Sequence, residues 1–94
     1  MLRTPRAIDD LVELWSYIAK DSEPAADRIL AEIEAAFHLL AKHRELGERC
    51  RTRSSRTARR FIVRSWVVYY RAHSTGGIEI IRVLHAARSH DELI

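Results

Sequence analysis

Ile8, Leu11, Trp15 and Ile18 recur at spacings of three and four, flanked by Val12 and Ala19, which is the period that gives an α-helix one apolar face. Thr4-Pro5 stands just ahead of them. The pair offers a hydroxyl for the N-cap and a proline for the first helical position, where the missing N–H has no intrahelical partner to lose. Asp9 and Asp10 then bring negative charge toward the positive end of the helix dipole. The pattern predicts a helix from Pro5 to about Lys20. Asp21-Ser22-Glu23-Pro24 breaks it and caps the next. Ala26, Leu30, Ile33, Phe37 and Leu40, widened by Ile29 and Ala36, form a second stripe that ends near His43. So short a connection forces an antiparallel helical hairpin over about residues 5–43.

Beyond Arg44 the periodicity disappears. Gly47, Ser54, Ser55 and the run Arg49, Arg51, Arg53, Arg56, Arg59, Arg60 predict a solvated loop over 44–59. A strand is expected at about 60–64. The β-branched and aromatic run Trp66-Val-Val-Tyr-Tyr70-Arg71 predicts a second at 66–72. His73-Ser-Thr-Gly76-Gly77 is a hairpin turn rich in residues that tolerate positive φ. A third strand follows at 78–85, apolar on both faces and so expected to be covered on part of each, with a tail at 86–94. Leu2 and Arg3 could add a short edge strand. Neither hairpin nor meander can bury its apolar side alone, so the expected fold is α+β. It is a helical hairpin on a small, mainly antiparallel sheet of three to four strands, with one sheet face covered and the other open.

Length and composition narrow this to a single domain of 94 residues, 47% of them hydrophobic. Cys50 is the only cysteine, which excludes a disulfide framework and a cysteine zinc cluster and fits a reducing compartment. No apolar run approaches the roughly 20 residues that span a bilayer, and Met1-Leu-Arg-Thr-Pro5 lacks the apolar core of a signal peptide. A cytoplasmic protein with no membrane association is expected. The net charge of +3 conceals a polarised chain: residues 1–48 carry six Lys/Arg against ten Asp/Glu, and 49–94 carry ten Arg against three acids. Fourteen of the sixteen basic residues are arginine, whose guanidinium forks onto phosphate or carboxylate. An acidic partner is implied, either nucleic acid or an acidic protein surface.

The third strand delivers Arg82, His85 and Arg88 over seven residues. Packing would hold these side chains stiffly, as a binding or reacting surface needs. An arginine inside a strand must pair with an acid or face open surface. His38 and His43, like His85 and His90, are five apart, which misses the i, i+4 spacing of a helical metal pair. No metal or cofactor is expected. The arginine run reads as a solvated loop or as an electrostatic dock for an acidic or phosphate surface. Trp66, Tyr69 and Tyr70, beside Arg64 and Arg71, read as core or as a base-stacking platform. Trp15 reads as an anchor between the first helix and the sheet. No P-loop, nucleophile elbow or dinucleotide fingerprint is present.

The segments Ala7-Ile-Asp-Asp10-Leu11, Trp15-Ser-Tyr17-Ile18-Ala19, Ala25-Ala26-Asp27-Arg28, Leu40-Ala41, Val68-Tyr69-Tyr70-Arg71 and Gly77-Ile-Glu-Ile-Ile-Arg-Val-Leu-His-Ala-Ala-Arg88 resemble, in that order, the ParE branch of the RelE/ParE toxin superfamily. The resemblance covers nearly the whole chain. It implies the toxin of a type II toxin–antitoxin module, with a ParD-like antitoxin as partner and operator DNA contacted only through that antitoxin. ParE-like members bind and poison DNA gyrase without being enzymes. RelE-like members are ribosome-dependent messenger-RNA endonucleases, which need general acid–base groups and cations on the scissile phosphate. Where the nucleases carry a middle-strand arginine, a final-strand arginine and a tyrosine, this chain has Val67, Ala86 and Glu92. The expectation is therefore a gyrase poison. The alternatives are a nuclease using Arg60, Arg64 or His90, and an inactive homologue that binds antitoxin. Expected target-binding residues are Arg82, His85, Arg88, Arg64 and Arg71. Expected antitoxin-binding residues are Leu11, Trp15, Ile18, Trp66 and Tyr70.

Overall fold

The computed structural model describes residues 1–53, 56–90 and 93–94. Two helices, α1 (Pro5–Ala19) and α2 (Glu23–Lys42), pack on a five-stranded mixed sheet. The strands are β1 (Leu2–Arg3), β2 (Glu48–Arg51), β3 (Thr57–Val63), β4 (Trp66–Ala72) and β5 (Ile78–His85), in the order β1-β5-β4-β3-β2. β1 runs parallel to β5 and every other pairing is antiparallel. The α+β class, the helical hairpin and the short edge strand agree with the sequence pattern. The strand count does not, because β2 lies inside the segment read as a solvated loop. Glu48-Arg-Cys-Arg51 shows no apolar alternation to betray a strand, and it is held as an edge by backbone pairing to β3.

Both helices start where their caps dictate. Thr4 Oγ1 accepts from the Ala7 N–H at 3.0 Å and Ser22 Oγ from the Ala25 N–H at 3.2 Å. The stripe on α2 points inward as expected, with Ala26, Ile33, Ala36, Phe37 and Leu40 buried. The face of α1 is rotated from the expected one. Ala7, Asp10, Leu11 and Leu14 face the core, while Ile8 and Val12 stay 50% and 62% exposed. α1 is apolar around too much of its circumference for periodicity to choose the inward side. Trp15 does not anchor the sheet either: its Nε1 donates to Asp27 Oδ1 at 2.8 Å and ties α1 to α2.

The main core lies between the helices and the sheet, where Leu11, Leu14, Ile33, Phe37 and Leu40 meet Val68, Tyr70, Ile78, Ile80 and Val83. The opposite sheet face is not open as expected. Val67, Tyr69 and Leu84 form a second cluster there, against which Cys50, Ile81, Leu93 and Ile94 pack. The chain's last residues fold back to make this layer, and the Arg53 N–H donates to the Ile94 carbonyl at 2.8 Å. Gly76 and Gly77, at φ 100° and 77°, close the β4–β5 hairpin in a conformation that side chains disfavour.

Candidate functional site at the end of β5

β1 pairs with only Glu79 and Ile80 of β5, so the rest of that edge would be bare. α1 closes it with side chains. Thr4 Oγ1 donates to the Ile81 carbonyl at 2.7 Å, and Asp10 Oδ2 accepts from the Val83 N–H at 2.9 Å. The same Asp10 carboxylate takes a two-pronged contact from Arg82, Nε to Oδ2 at 2.8 Å and Nη2 to Oδ1 at 2.9 Å. Arg82 Nη1 donates to the Leu93 carbonyl at 3.0 Å. The hydrogen bond to Asp10 holds the guanidinium pKa above its ordinary value, against the opposing effect of burial. The side chains of Arg82 and Asp10 are only 9% and 5% exposed. Arg82 is thus a structural clamp joining α1, β5 and the tail, and the expectation that it reaches a target is corrected. The sequence suggests a helix-dipole acid at Asp10, yet it lies beyond the first turn and serves this clamp.

His85 and Arg88 line a groove of about 400 Å³ between α1 and the end of β5, together with Leu14, Tyr17, Trp66 and Val83. The His85 ring stands edge-on to Trp66 at 5.0 Å, and its Nδ1 accepts from the Ala87 N–H at 3.1 Å. Tyr17, at 65% exposure, is the groove's most open aromatic. Arg88 is exposed, and its side chain makes no ion pair among the described residues. The other expected target residues are engaged: Arg71 with Glu79 at 3.0 Å, and Arg64 with Glu32 through Nε at 2.6 Å and Nη2 at 2.9 Å.

The nuclease candidates do not converge. Arg64 reaches back to α2 through Glu32, whereas Arg60 pairs with Glu48 across the β2–β3 ladder, its Nε at 2.9 Å. His90 sits behind the sheet, Nδ1 2.5 Å from Tyr69 Oη and Nε2 2.8 Å from the His85 carbonyl. A carbonyl can only accept, so Nε2 carries the proton and Nδ1 accepts from the tyrosine. Sequence reading missed this Tyr69–His90 pair, whose members are 21 residues apart. Val67 is buried in the second cluster and Ala86 is exposed; Glu92 lies outside the described residues. No group of His, Cys, Asp and Glu among the described residues could hold a metal ion.

A second groove, of about 340 Å³, runs along the helical hairpin between Ile8, Leu11, Val12, Trp15 and Leu30. Trp15 in this groove and Trp66 in the first are half-buried, as is Ile18, which packs against the main core. Leu11 belongs to the core but also lines this groove; Tyr70 is a core residue and the expectation that it meets a partner is corrected. Tyr70 is fully buried, with its hydroxyl accepting from the Gly47 N–H and donating to the Arg44 carbonyl, each at 2.8 Å.

Compared with protein-family models, residues 2–90 match the ParE toxin of the type II toxin–antitoxin system parDE. The chain belongs to the ParE toxin family. No curated protein matches it. As a ParE-family toxin it is one half of a two-protein module, with an antitoxin as its partner. No helix among the described residues is long and apolar enough to cross a membrane.

Proposed function

We propose that this ParE-family toxin acts in the cytoplasm by binding and inhibiting DNA gyrase, and that a ParD-like antitoxin neutralises it. The observation that carries the reading is negative chemistry at the sheet. Arg60 and Arg64 are each bound to a carboxylate on different elements, both ring nitrogens of His90 are occupied, and Val67 and Ala86 stand where the nucleases carry arginine. Transferring a 2′-hydroxyl proton and steadying a scissile phosphate needs a free base and free cations side by side, which Arg60, Arg64 and His90 do not supply. A docking protein needs neither. Its contact surface would be the groove at the end of β5, through Tyr17, His85 and Arg88.

The antitoxin would lay an amphipathic helix against Ile8, Val12 and Trp15. A nuclease remains the second reading because Tyr69, the register partner of Arg60, is hydrogen-bonded to His90 of the tail. Supercoiling by purified gyrase should fall, or cleaved complexes accumulate, when the toxin is added; Arg88→Ala should weaken the effect by about tenfold. Cutting of ribosome-bound message, with gyrase untouched at molar excess of toxin, would overturn the proposal.

A further inference from the structure

The outer ladder of the sheet breaks a rule that the rest of the fold obeys. Arg49 and Arg59 are register partners on β2 and β3, and like charges directly opposite one another destabilise a sheet. Arg51 shares their face, two residues along β2. No carboxylate among the described residues neutralises this face; Arg59 Nη1 donates only to the Glu45 and Gly47 carbonyls, at 3.2 and 2.8 Å. Arg49 and Arg51 are exposed, with no side-chain partner among the described residues. On the other face of the same ladder the next register pair, Glu48 and Arg60, is complementary. A charged edge strand discourages aggregation, but one arginine paired with an acid would do that without opposing two cations. Local conflicts of this kind mark sites that answer to something outside the fold.

We propose that the Arg49–Arg51–Arg59 face binds the phosphate backbone of duplex DNA, independently of whether gyrase is the target. Guanidinium forks suit phosphate oxygens, and duplex DNA presents a negative charge every ~1.7 Å of axis. A strand sets Arg49 and Arg51 about 6.6 Å apart, a repeated cation against a repeated anion. The contact carries no sequence preference, because nothing but phosphate is read.

The test is fluorescence anisotropy of a labelled duplex of arbitrary sequence with the purified chain, over a salt series. Wild type should bind. Arg49→Ala/Arg51→Ala should weaken binding about eightfold per arginine at 0.1 M salt, and make the slope of log affinity against log salt shallower by about 1.8. Arg49→Lys/Arg51→Lys should restore most of the slope. Arg6→Ala/Arg28→Ala, which removes two exposed arginines on the helices, should change little. Circular dichroism melting checks that each variant is folded. The proposal is overturned if wild type fails to bind at 0.05 M salt, if the two alanine pairs weaken binding equally, or if polyglutamate of matched charge competes as well as unlabelled duplex.

Discussion

Arg82 and Asp10 are 72 positions apart, and that separation explains what sequence could and could not reveal about them. An arginine in an apolar strand announces that it needs an acid or an open surface, but thirteen acids were available and no local spacing singles one out. Breaking a buried pair leaves a charge uncompensated and costs about 3–5 kcal/mol. Asp10→Ala should therefore lower the urea midpoint far more than Asp9→Ala, whose cost should stay within about 0.5 kcal/mol. Loss of toxicity in Arg82→Ala would then track stability rather than a lost contact. Gly47 is constrained for a different reason: a Cβ there would lie 2.7 Å from Tyr70 Oη and 2.8 Å from the Arg60 carbonyl. Gly47→Ala should cost about 1–3 kcal/mol through overpacking, read as a lowered melting temperature. Glu32 gives a pH signature. Its hydrogen bond from Arg64 holds its pKa below the ordinary 4.5, so its stabilisation is present above pH 4.5 and lost as pH falls through the lower folded value. The pair is exposed and the effect small. Wild type should melt slightly above Glu32→Gln at pH 7, and the gap should close as pH falls below the ordinary 4.5 and through the lower folded value.

At the scale of elements, legibility followed burial. α2, β4 and β5 bury apolar residues in a regular pattern, and sequence placed all three to within a few residues. β2 and the tail did not announce themselves, because their places depend on neighbours: β2 on the backbone of β3, and Leu93 and Ile94 on the cluster behind the sheet. The start of α1 combines both kinds of information. Thr4 reads as an N-cap in the sequence, but only the fold shows its hydroxyl also donating to the Ile81 carbonyl and finishing the β5 edge. Ser22 does the capping task alone. Ser22→Ala should cost about 1 kcal/mol. Thr4→Ala should cost about 2 kcal/mol, since the edge bond adds roughly another 1, and Thr4→Ser should recover most of it. Equal losses from the two alanine variants in chemical denaturation would show that the edge bond contributes nothing.

Across the whole molecule, the acidic first half and the arginine-rich second half divide the surface into different kinds of contact. The apolar ridge lies on the helical hairpin, the free arginines on the outer ladder and at the end of β5. Sequence periodicity assigned Ile8 to the core and Val12 to its flank, and that is why neither was expected to meet a partner although Leu11, Trp15 and Ile18 of the same helix were: a helix with excess apolar surface looks the same in sequence whether the surplus faces a core or a partner. The structure leaves Val12 62% exposed beside the groove formed with Trp15 and Leu30. A carboxylate there has water around it in the free toxin, so Val12→Glu should leave the melting temperature unchanged within about 1–2 °C. Under an antitoxin helix the same charge would be desolvated without a partner, which costs several kcal/mol unless the interface rearranges. Antitoxin affinity should fall at least about a hundredfold, where each tenfold corresponds to about 1.4 kcal/mol. Toxicity should persist, because the groove at the end of β5 is untouched. Cells carrying this variant should no longer be rescued by co-expressed antitoxin, and calorimetric titration of the two purified proteins should show the weakened binding directly. Undiminished rescue together with unchanged affinity would place the antitoxin on another surface.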